Sequence, residues 1–322
     1  MAEPVPENEQ LSPAVGVDIG GTKIAVGLVS GSGDLLERVA EPTPDDAAKI
    51  PAVIADLVER VSTGSTASVG IGAAGFVSSD RSTIRFAPNI AWSDEPLGEE
   101  VQRLLGVPVV VENDANAAAW GEFRFGAGAD VDDLLLVTIG TGIGGGVVHR
   151  GRLLRGASGS AAEIGHLRIV PGGVLCGCGQ RGCFEQYASG RALVRTAHER
   201  LEAGDPRAAA LHALAEDDDG LLGPEITAAA QDGDELAREL LADLGRWAGE
   251  GIASLAAVLD PAVVVIGGGV IEAGDLLMRP LRDAFERHLP AVEHRPTIEV
   301  RPATLGNQAG LVGAADLSRV DA

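Results

Sequence analysis

The chain has 322 residues, of which 25 are basic and 47 acidic, so its formal net charge is −22. Apolar residues make up 45% of the chain, which is enough to bury a core and excludes a disordered acidic tail. The negative charge argues against nucleic acid and anionic membranes as partners, because both are bound through basic surfaces. The chain has no uninterrupted apolar run of about 18 residues, the length that predicts a membrane span. Its first residues also lack the basic start and apolar segment of a secretory signal, so we expect a cytoplasmic protein.

Strands and helices alternate along the chain, which predicts an α/β fold. Residues 14–29 contain two β-branched runs on either side of a Gly-Gly-Thr turn, a pattern typical of strand, turn and strand. Further strands are predicted at 69–77, 107–111, 134–139 and 263–266, and helices at 50–61, 115–125, 234–259 and 308–317. Either Asn113 or Asp114 is suited to cap the helix that follows them. The acidic, alanine-rich stretch 205–223 predicts a helix with an exposed loop.

Two glycine patterns, at 70–75 and 140–145, match the dinucleotide-binding fingerprint after a strand. Each pattern continues into another strand, whereas a Rossmann site needs a strand, a turn and a helix together. The glycine spacing of a Walker A loop is also missing before Lys23. The sequence therefore favours neither of these two nucleotide-binding folds.

Three glycine turns remain as candidate phosphate sites, at 18–22, 140–142 and 267–269. Such turns lack Cβ atoms and present backbone N–H groups that can hold phosphate oxygens. Beside the first turn, Asp18 is suited to a hydrated Mg²⁺ and Thr22 to donating a hydroxyl hydrogen bond. Any one of these runs is better explained as a tight turn, but the three together favour a nucleotide cleft between two domains.

One histidine and three clustered cysteines predict a zinc site. They are His166, Cys176, Cys178 and Cys183. Three thiolates and an imidazole form a tetrahedral set for Zn²⁺, and the alternative is three buried free thiols. Four protein ligands leave no position for water, so the predicted zinc is structural and orders the loop that carries Glu163 and Glu185.

Four motifs together resemble the ROK family of sugar kinases and repressors. They are Asp18-Ile-Gly-Gly-Thr-Lys23, Glu112-Asn-Asp-Ala-Asn116, Gly140-Thr-Gly-Ile-Gly-Gly-Gly146 and the segment from Glu163-Ile-Gly-His166 to Glu185. The resemblance covers residues 14–318. Within it, the segment 73–195 is similar to the actinobacterial glucokinases of that family. It implies an α/β, actin-like or hexokinase-like two-domain ATPase fold with the sugar and the nucleotide in the interdomain cleft. It also implies ATP-dependent phosphorylation of glucose to glucose 6-phosphate with ATP, Mg²⁺ and structural Zn²⁺, and a homodimer or homotetramer.

The resemblance also assigns roles to individual residues. Asp114 is the expected general base on the sugar 6-hydroxyl, and helix capping is its alternative role. The expected sugar contacts are Gly75, Asn89, Asn113, Asp114, Glu163, His166 and Glu185. The expected ATP contacts are Asp18, Gly20, Gly21, Thr22, Lys23, Thr141, Gly142, Gly268 and Gly269. Lys23 is equally well explained as an exposed strand lysine, and His166 is expected to use one ring nitrogen for zinc and the other for a sugar hydroxyl.

The expected domain organisation places a boundary after Glu122, and the resemblance implies that the last helix returns to the first domain. A flexible polar extension, which departs from the family pattern, covers residues 1–13. A small α/β domain combines 14–122 with 307–322, and a large α/β domain covers 123–306 with the zinc loop at 163–185.

Three alternatives to a glucose kinase that uses ATP stay open at this point. The acceptor can be another hexose or an N-acetylhexosamine, because selectivity rests on hydrogen-bond distances that the sequence does not contain. Polyphosphate can be the donor, since glycine turns hold phosphates in either case. A sugar-responsive ROK repressor without its DNA-binding domain is disfavoured, because such repressors carry a helix-turn-helix segment longer than the 17 residues before Asp18.

Overall fold

The structure is a computed structural model that describes residues 11–62, 66–87, 90–215 and 221–320. Its strands are β1 (Ala14–Ile19), β2 (Lys23–Val29), β3 (Leu35–Pro42), β4 (Val69–Ala73), β5 (Phe76–Val77), β6 (Ile84–Phe86), β7 (Ser93–Glu95), β8 (Val109–Asn113), β9 (Leu134–Ile139), β10 (Ile143–His149), β11 (Arg152–Leu153), β12 (Val263–Gly267) and β13 (Glu299–Pro302). Its α-helices are α1 (Ile50–Val61), α2 (Leu97–Leu105), α3 (Asp114–Phe125), α4 (Glu185–Ala188), α5 (Gly190–Glu202), α6 (Ala209–Ala215), α7 (Gly223–Asp232), α8 (Glu235–Leu259), α9 (Asp275–His288) and α10 (Ala309–Leu317). This mixture of helices and strands confirms the predicted α/β class. Among the described residues, no helix combines the length and the apolar composition that crossing a membrane requires.

Contacts divide the chain into two compact units. The first comprises Met1–Leu136, Gly145–Ala162 and Ala303–Ala322, and the second comprises Val137–Gly144 and Glu163–Pro302. The division falls within β9 and β10. The last segment of the chain groups with the first unit, and so do 123–136 and 145–162, which lie outside the predicted small domain. The predicted domain limits stay a prediction.

The first unit contains a five-stranded sheet in the order β3-β2-β1-β4-β8. The first three strands are antiparallel neighbours, and β1, β4 and β8 run parallel. The pairing register places Ile19 beside Ala73 and Ala73 beside Asn113, so the carboxyl ends of the parallel strands meet at one edge. The strand predicted at 69–77 is split into β4 and β5, because Gly75 between them has a φ of +134°.

Helices cover both faces of this sheet. On one face, α1 contributes Ile54, Leu57 and Val61 to an apolar cluster with alternate side chains of the strands. On the other face α10 packs directly on the strands. A Cβ atom added to Gly70 would lie 1.7 Å from the carbonyl oxygen of Ala314, so the helix approaches β4 as closely as only glycine allows.

A buried carboxylate joins the end of α3 to the start of the segment Ala303–Ala322. Glu122 is fully buried and accepts hydrogen bonds from the backbone N–H groups of Ala127 (2.8 Å), Thr304 (3.1 Å) and Leu305 (2.8 Å). These bonds satisfy the carboxylate and fix two chain segments that are distant in sequence.

The second unit is largely helical, and α5, α7 and α9 pack against the long helix α8. Asp234 caps α8 by accepting the N–H of Ala237 at 2.8 Å, so the helix begins at the residue after the predicted start. The strands β12 and β13 of this unit are parallel. The second five-stranded sheet of the chain has the order β11-β10-β9-β12-β13.

Candidate active site

The corner between β8 and α3 holds two of the predicted site residues, Asn113 and Asp114. Asn113 is the N-cap of α3, since its Oδ1 accepts the N–H of Asn116 at 3.0 Å. Its Nδ2 donates to the carbonyl oxygen of Gly75 at 3.2 Å. The Asn113 side chain also donates to the Asp114 carboxylate, so its amide keeps one acceptor lone pair for a ligand. Asp114 is the first residue of the helix, and its Oδ1 accepts the N–H of Ala115 at 2.9 Å.

The carboxylates of Asp114 and Asp18 influence each other electrostatically. Burial raises the pKa of Asp114, and hydrogen bonds from backbone N–H groups partly oppose that rise. The pKa of Asp18 is raised to about 6, first by burial and then by the negative charge of Asp114. Lys23 and Arg38 lower it. Two carboxylates at one sheet edge create a site that attracts a cation.

The predicted phosphate turn after β1 is fixed from both sides. The N–H of Gly20 donates to the carbonyl oxygen of Lys23 at 3.0 Å, which closes the hairpin. Thr43, which the sequence analysis missed, donates its hydroxyl to the carbonyl oxygen of Gly20 at 2.7 Å and its N–H to that of Thr22 at 3.0 Å. Gly21, Thr22 and Lys23 are exposed, so the turn is open to a ligand. No local signal marks Thr43, because it lies at the far end of the neighbouring strand.

In the second unit, the turn between β9 and β10 lies next to Glu185, which is predicted to bind the sugar. The N–H of Gly190 donates to the carbonyl oxygen of Gly140 at 2.8 Å and ties the turn to the start of α5. A Cβ atom on Gly142 would lie 2.9 Å from Oε2 of Glu185. Thr141, Gly142 and Glu185 are therefore neighbours in the structure.

The glycine run after β12 also has a geometric reason. Gly268 has a φ of +87°, and a Cβ atom there would lie 2.4 Å from the carbonyl oxygen of Ile139. Both facts require glycine at this position. At Gly269 the space that a Cβ atom would enter is open to 4 Å, which leaves room for a ligand.

The four predicted zinc ligands come together in the second unit. One donor atom from each of them lies within 4.8 Å of the other three, and these residues are His166, Cys176, Cys178 and Cys183. Nδ1 of His166 is 3.7 Å from Sγ of Cys176, and Sγ of Cys178 is 3.6 Å from Sγ of Cys183. Tetrahedral zinc with ordinary bond lengths separates its ligand atoms by about 3.5–3.8 Å, so the cluster fits Zn²⁺.

Further contacts link the cysteine cluster to its surroundings. Sγ of Cys176 donates to Oε1 of Glu185 at 3.0 Å. Burial, followed by that hydrogen bond, raises the pKa of the Cys176 thiol, so the thiol needs a neighbouring cation to release its proton. The hydroxyl of Tyr187 accepts the N–H of Val174 at 2.9 Å and anchors the same loop.

Two predicted sugar contacts remain, Glu163 and Asn89, and the structure describes the first of them. Glu163 precedes a 3₁₀ turn, Ile164–His166, and its carbonyl oxygen accepts the N–H of His166 at 3.1 Å. Just before it, Ala162 has a φ of +65°, a strained value for a residue with a side chain. Asn89 lies outside the described residues. The structure thus brings Gly75, Asn113, Asp114 and Asp18 together in the first unit, and Gly142, His166 and Glu185 with the cysteines in the second.

A family model described as the ROK family matches residues 14–320. The chain belongs to the ROK family. This confirms the family resemblance of the motifs. The α/β chain therefore has the fold of ROK proteins.

Individual ROK proteins are similar over almost the whole chain. A glucokinase from Streptomyces coelicolor is 51% identical over 307 residues, which cover 95% of this chain and 97% of the relative. A glucokinase from Halalkalibacterium halodurans is 40% identical over 310 residues, covering 93% of this chain and 92% of the relative. The crystal structure of a ROK family glucokinase from Streptomyces griseus in complex with glucose and AMPPNP matches with a TM-score of 0.85 at 51% identity, covering 95% of this chain and 99% of that one.

Proposed function

We propose that this protein transfers the terminal phosphoryl group of ATP to the 6-hydroxyl of glucose, with Asp114 as the general base. The observation that carries the proposal is the Asp114 carboxylate, which follows a parallel strand and has a pKa raised by burial. A carboxylate whose pKa is raised by burial is a stronger base than an exposed one. The similarity to glucokinases, one of them crystallised with glucose and AMPPNP, supports this substrate and this donor.

On the acceptor side, Asp114 takes the proton from the attacking hydroxyl while neighbouring groups orient the sugar. The proposed orienting residues are Gly75, Asn89, Asn113, Glu163, His166 and Glu185. Carboxylates and an amide suit vicinal hydroxyls, since each oxygen can accept an O–H hydrogen bond. The free acceptor lone pair of Asn113 supports its assignment. His166 turns Nδ1 towards Cys176, which leaves Nε2 for a sugar hydroxyl.

On the donor side, phosphoryl transfer needs positioning and charge neutralisation more than covalent chemistry. The proposed phosphate contacts are Gly20, Gly21, Thr22, Lys23, Thr141 and Gly142, with Gly268 and Gly269 against the adenosine. Asp18 would hold Mg²⁺ through water, and the repulsion between Asp18 and Asp114 supports a cation there. When bound, Mg²⁺ neutralises charge on the phosphates.

The zinc has a structural role in this proposal. His166, Cys176, Cys178 and Cys183 would hold Zn²⁺ and leave no coordination position open. The ion would fix the tautomer of His166 and order the loop that carries Glu163 and Glu185.

A phosphorylation assay on a panel of hexoses tests the proposal. The purified protein is assayed with MgATP and glucose, mannose, fructose, N-acetylglucosamine or N-acetylmannosamine. We expect kcat/KM for glucose to exceed every other value by at least about tenfold, since one mispaired buried hydroxyl costs that much or more. Coupling to a 6-phosphate-specific dehydrogenase checks the position of the phosphate.

Each of the other outcomes would indicate a different function for this protein. A preference for an N-acetyl sugar would overturn the substrate and keep the base. Turnover with polyphosphate and none with ATP would overturn the donor. No turnover with either donor would favour a sugar sensor. We further propose a homodimer or homotetramer, which light scattering of the purified protein checks.

A further inference from the structure

Glu112 is a buried carboxylate that the proposed mechanism does not use. It is the penultimate residue of β8, immediately before Asn113 and Asp114, and only 1% of it is exposed. A buried carboxylate is costly unless all its lone pairs are paired, so the partners of Glu112 indicate what it does.

One oxygen of Glu112 holds the corner that leads into α3. Oε1 accepts the backbone N–H of Asn113 at 3.0 Å and the Nδ2 amide of Asn116 at 3.1 Å. The N–H of Asn116 in turn donates to the side chain of Asn113 at 3.0 Å. These three hydrogen bonds fix both the backbone and the side chain of Asn113, and with them the start of the helix at Asp114.

The other oxygen of Glu112 faces two arginines. Oε2 lies 2.7 Å from Nε of Arg155 and 3.3 Å from Nε of Arg81. The terminal nitrogens of Arg155 donate to the carbonyl oxygens of Ser78 and Ser79, each at 2.9 Å. The carbonyl oxygen of Arg81 accepts the N–H of Val111 at 2.9 Å. The guanidinium groups therefore connect Glu112 to the loop after β5 and to the segment before Glu163.

A glutamate suits both sides of this arrangement. Oε1 accepts hydrogen bonds from N–H groups, and Oε2 forms ion pairs with two arginines whose side chains are only 15% and 13% exposed. A glutamine at this position would turn its NH₂ group towards either the asparagines or the arginines, where it finds donors instead of acceptors. An aspartate keeps the charge but is one methylene too short to contact both sides.

We propose that Glu112 is a positioning residue that orients Asn113 and Asp114 towards the sugar and is itself held in place by Arg155 and Arg81. The inference rests on the proposed function, because it assigns Asn113 to sugar binding and Asp114 to proton transfer. The hydrogen bonds from Asn113 and Asn116 to Glu112 form a tether on the acceptor side of the site. Loss of this tether changes kcat and KM for glucose and leaves KM for ATP unchanged.

The test compares Glu112→Gln with Asp316→Asn, a control at a second buried carboxylate. Asp316 lies on α10, is fully buried and accepts hydrogen bonds from Trp120 Nε1 at 2.9 Å and Arg124 Nε at 3.1 Å. Both variants disrupt a buried ionic cluster and lower the melting temperature. A purely structural role for Glu112 predicts that both variants, once folded, keep the kinetic parameters of the wild type.

We expect a specific change in Glu112→Gln. KM for glucose rises about tenfold and kcat falls about tenfold, the usual effect of losing a group that orients reacting residues. KM for ATP changes by less than about twofold, because Glu112 contacts none of the residues proposed to bind ATP. Asp316→Asn keeps KM for glucose within about twofold of the wild type. Wild-type glucose kinetics in folded Glu112→Gln would overturn the inference.

A second variant and an exchange measurement also test the role of Glu112. Glu112→Asp retains the charge and is expected to fold and to show the same pattern for glucose if Glu112→Gln aggregates. Backbone amide exchange at Asn113 is independent of turnover, and it should accelerate in the Glu112 variants but not in Asp316→Asn. If the wild type phosphorylates no hexose, the proposed function fails, whereas unchanged exchange at Asn113 refutes the tether itself.

Discussion

Replacing Asp18 with asparagine should make the protein more stable at neutral pH. The pKa of this carboxyl is raised from 3.8 to about 6 in the folded chain, which corresponds to about 3 kcal/mol. The folded chain holds the proton more tightly than the unfolded chain, so stability falls as the pH rises from about 4 to about 6. Above that range the full cost is present, and Asp18→Asn removes it because the amide has the same size and no charge.

Calorimetric melting curves between pH 4 and pH 8 measure this effect. With an unfolding entropy of about 2.1 cal/mol/K per residue, 3 kcal/mol raises Tm by about 4 °C at pH 7.5 and by almost nothing at pH 4. Asp45→Asn, at an exposed loop residue of the same unit, is the control and should leave Tm unchanged at every pH. Phosphoryl transfer should be lost in Asp18→Asn, since stability and function are opposed at such a site. A Tm gain that is absent at pH 7.5, or as large at pH 4, would refute the reasoning.

Three other substitutions test separate parts of the site and the fold. Asp114→Asn should bind glucose as the wild type does in calorimetric titration, while kcat falls by about a thousandfold because the base is gone; substantial residual turnover would contradict the assignment. Cys183→Ser should remove the metal, so the zinc content measured by mass spectrometry falls from about one ion per chain to none and KM for glucose rises; retained zinc with unchanged kinetics would exclude this ligand set. Gly70→Ala should lower Tm sharply or prevent folding, because its Cβ atom would lie 1.7 Å from the backbone oxygen of Ala314. Gly223→Ala, where the added methyl group enters open space, is its control, and equal Tm values for the two would show that α10 yields.

Sequence patterns predicted those features whose signal is contained within a short stretch of chain. The helix predicted at 50–61 has those limits in the structure, because its apolar spacing is regular from end to end. The four predicted zinc ligands lie close together in the sequence, and the structure brings their donor atoms within 4.8 Å of one another. The family motifs have the same property, which is why the ROK assignment was possible from the residues alone.

Features that depend on distant partners were not predictable in this way. The family motif that contains Glu112 and the sequence around Glu122 indicate no partner for either carboxylate, and only the fold shows that Arg155 and Thr304 lie beside them. The helix α9 was missed as well. It contains Pro280, a residue that ordinarily interrupts a helix, and its stability comes from packing on α8.

The membership of α10 in the first unit has a consequence for synthesis on the ribosome. The face of β1 and β4 that α10 covers is made early, but the helix itself begins only at Ala309. At a synthesis rate of about 5–20 residues per second, the interval between the end of α3 and the start of α10 lasts about 10–40 s. By then every residue of the second unit has been made. We therefore expect the unit that starts first to finish last, with a glycine-lined apolar surface that needs protection from aggregation until α10 covers it.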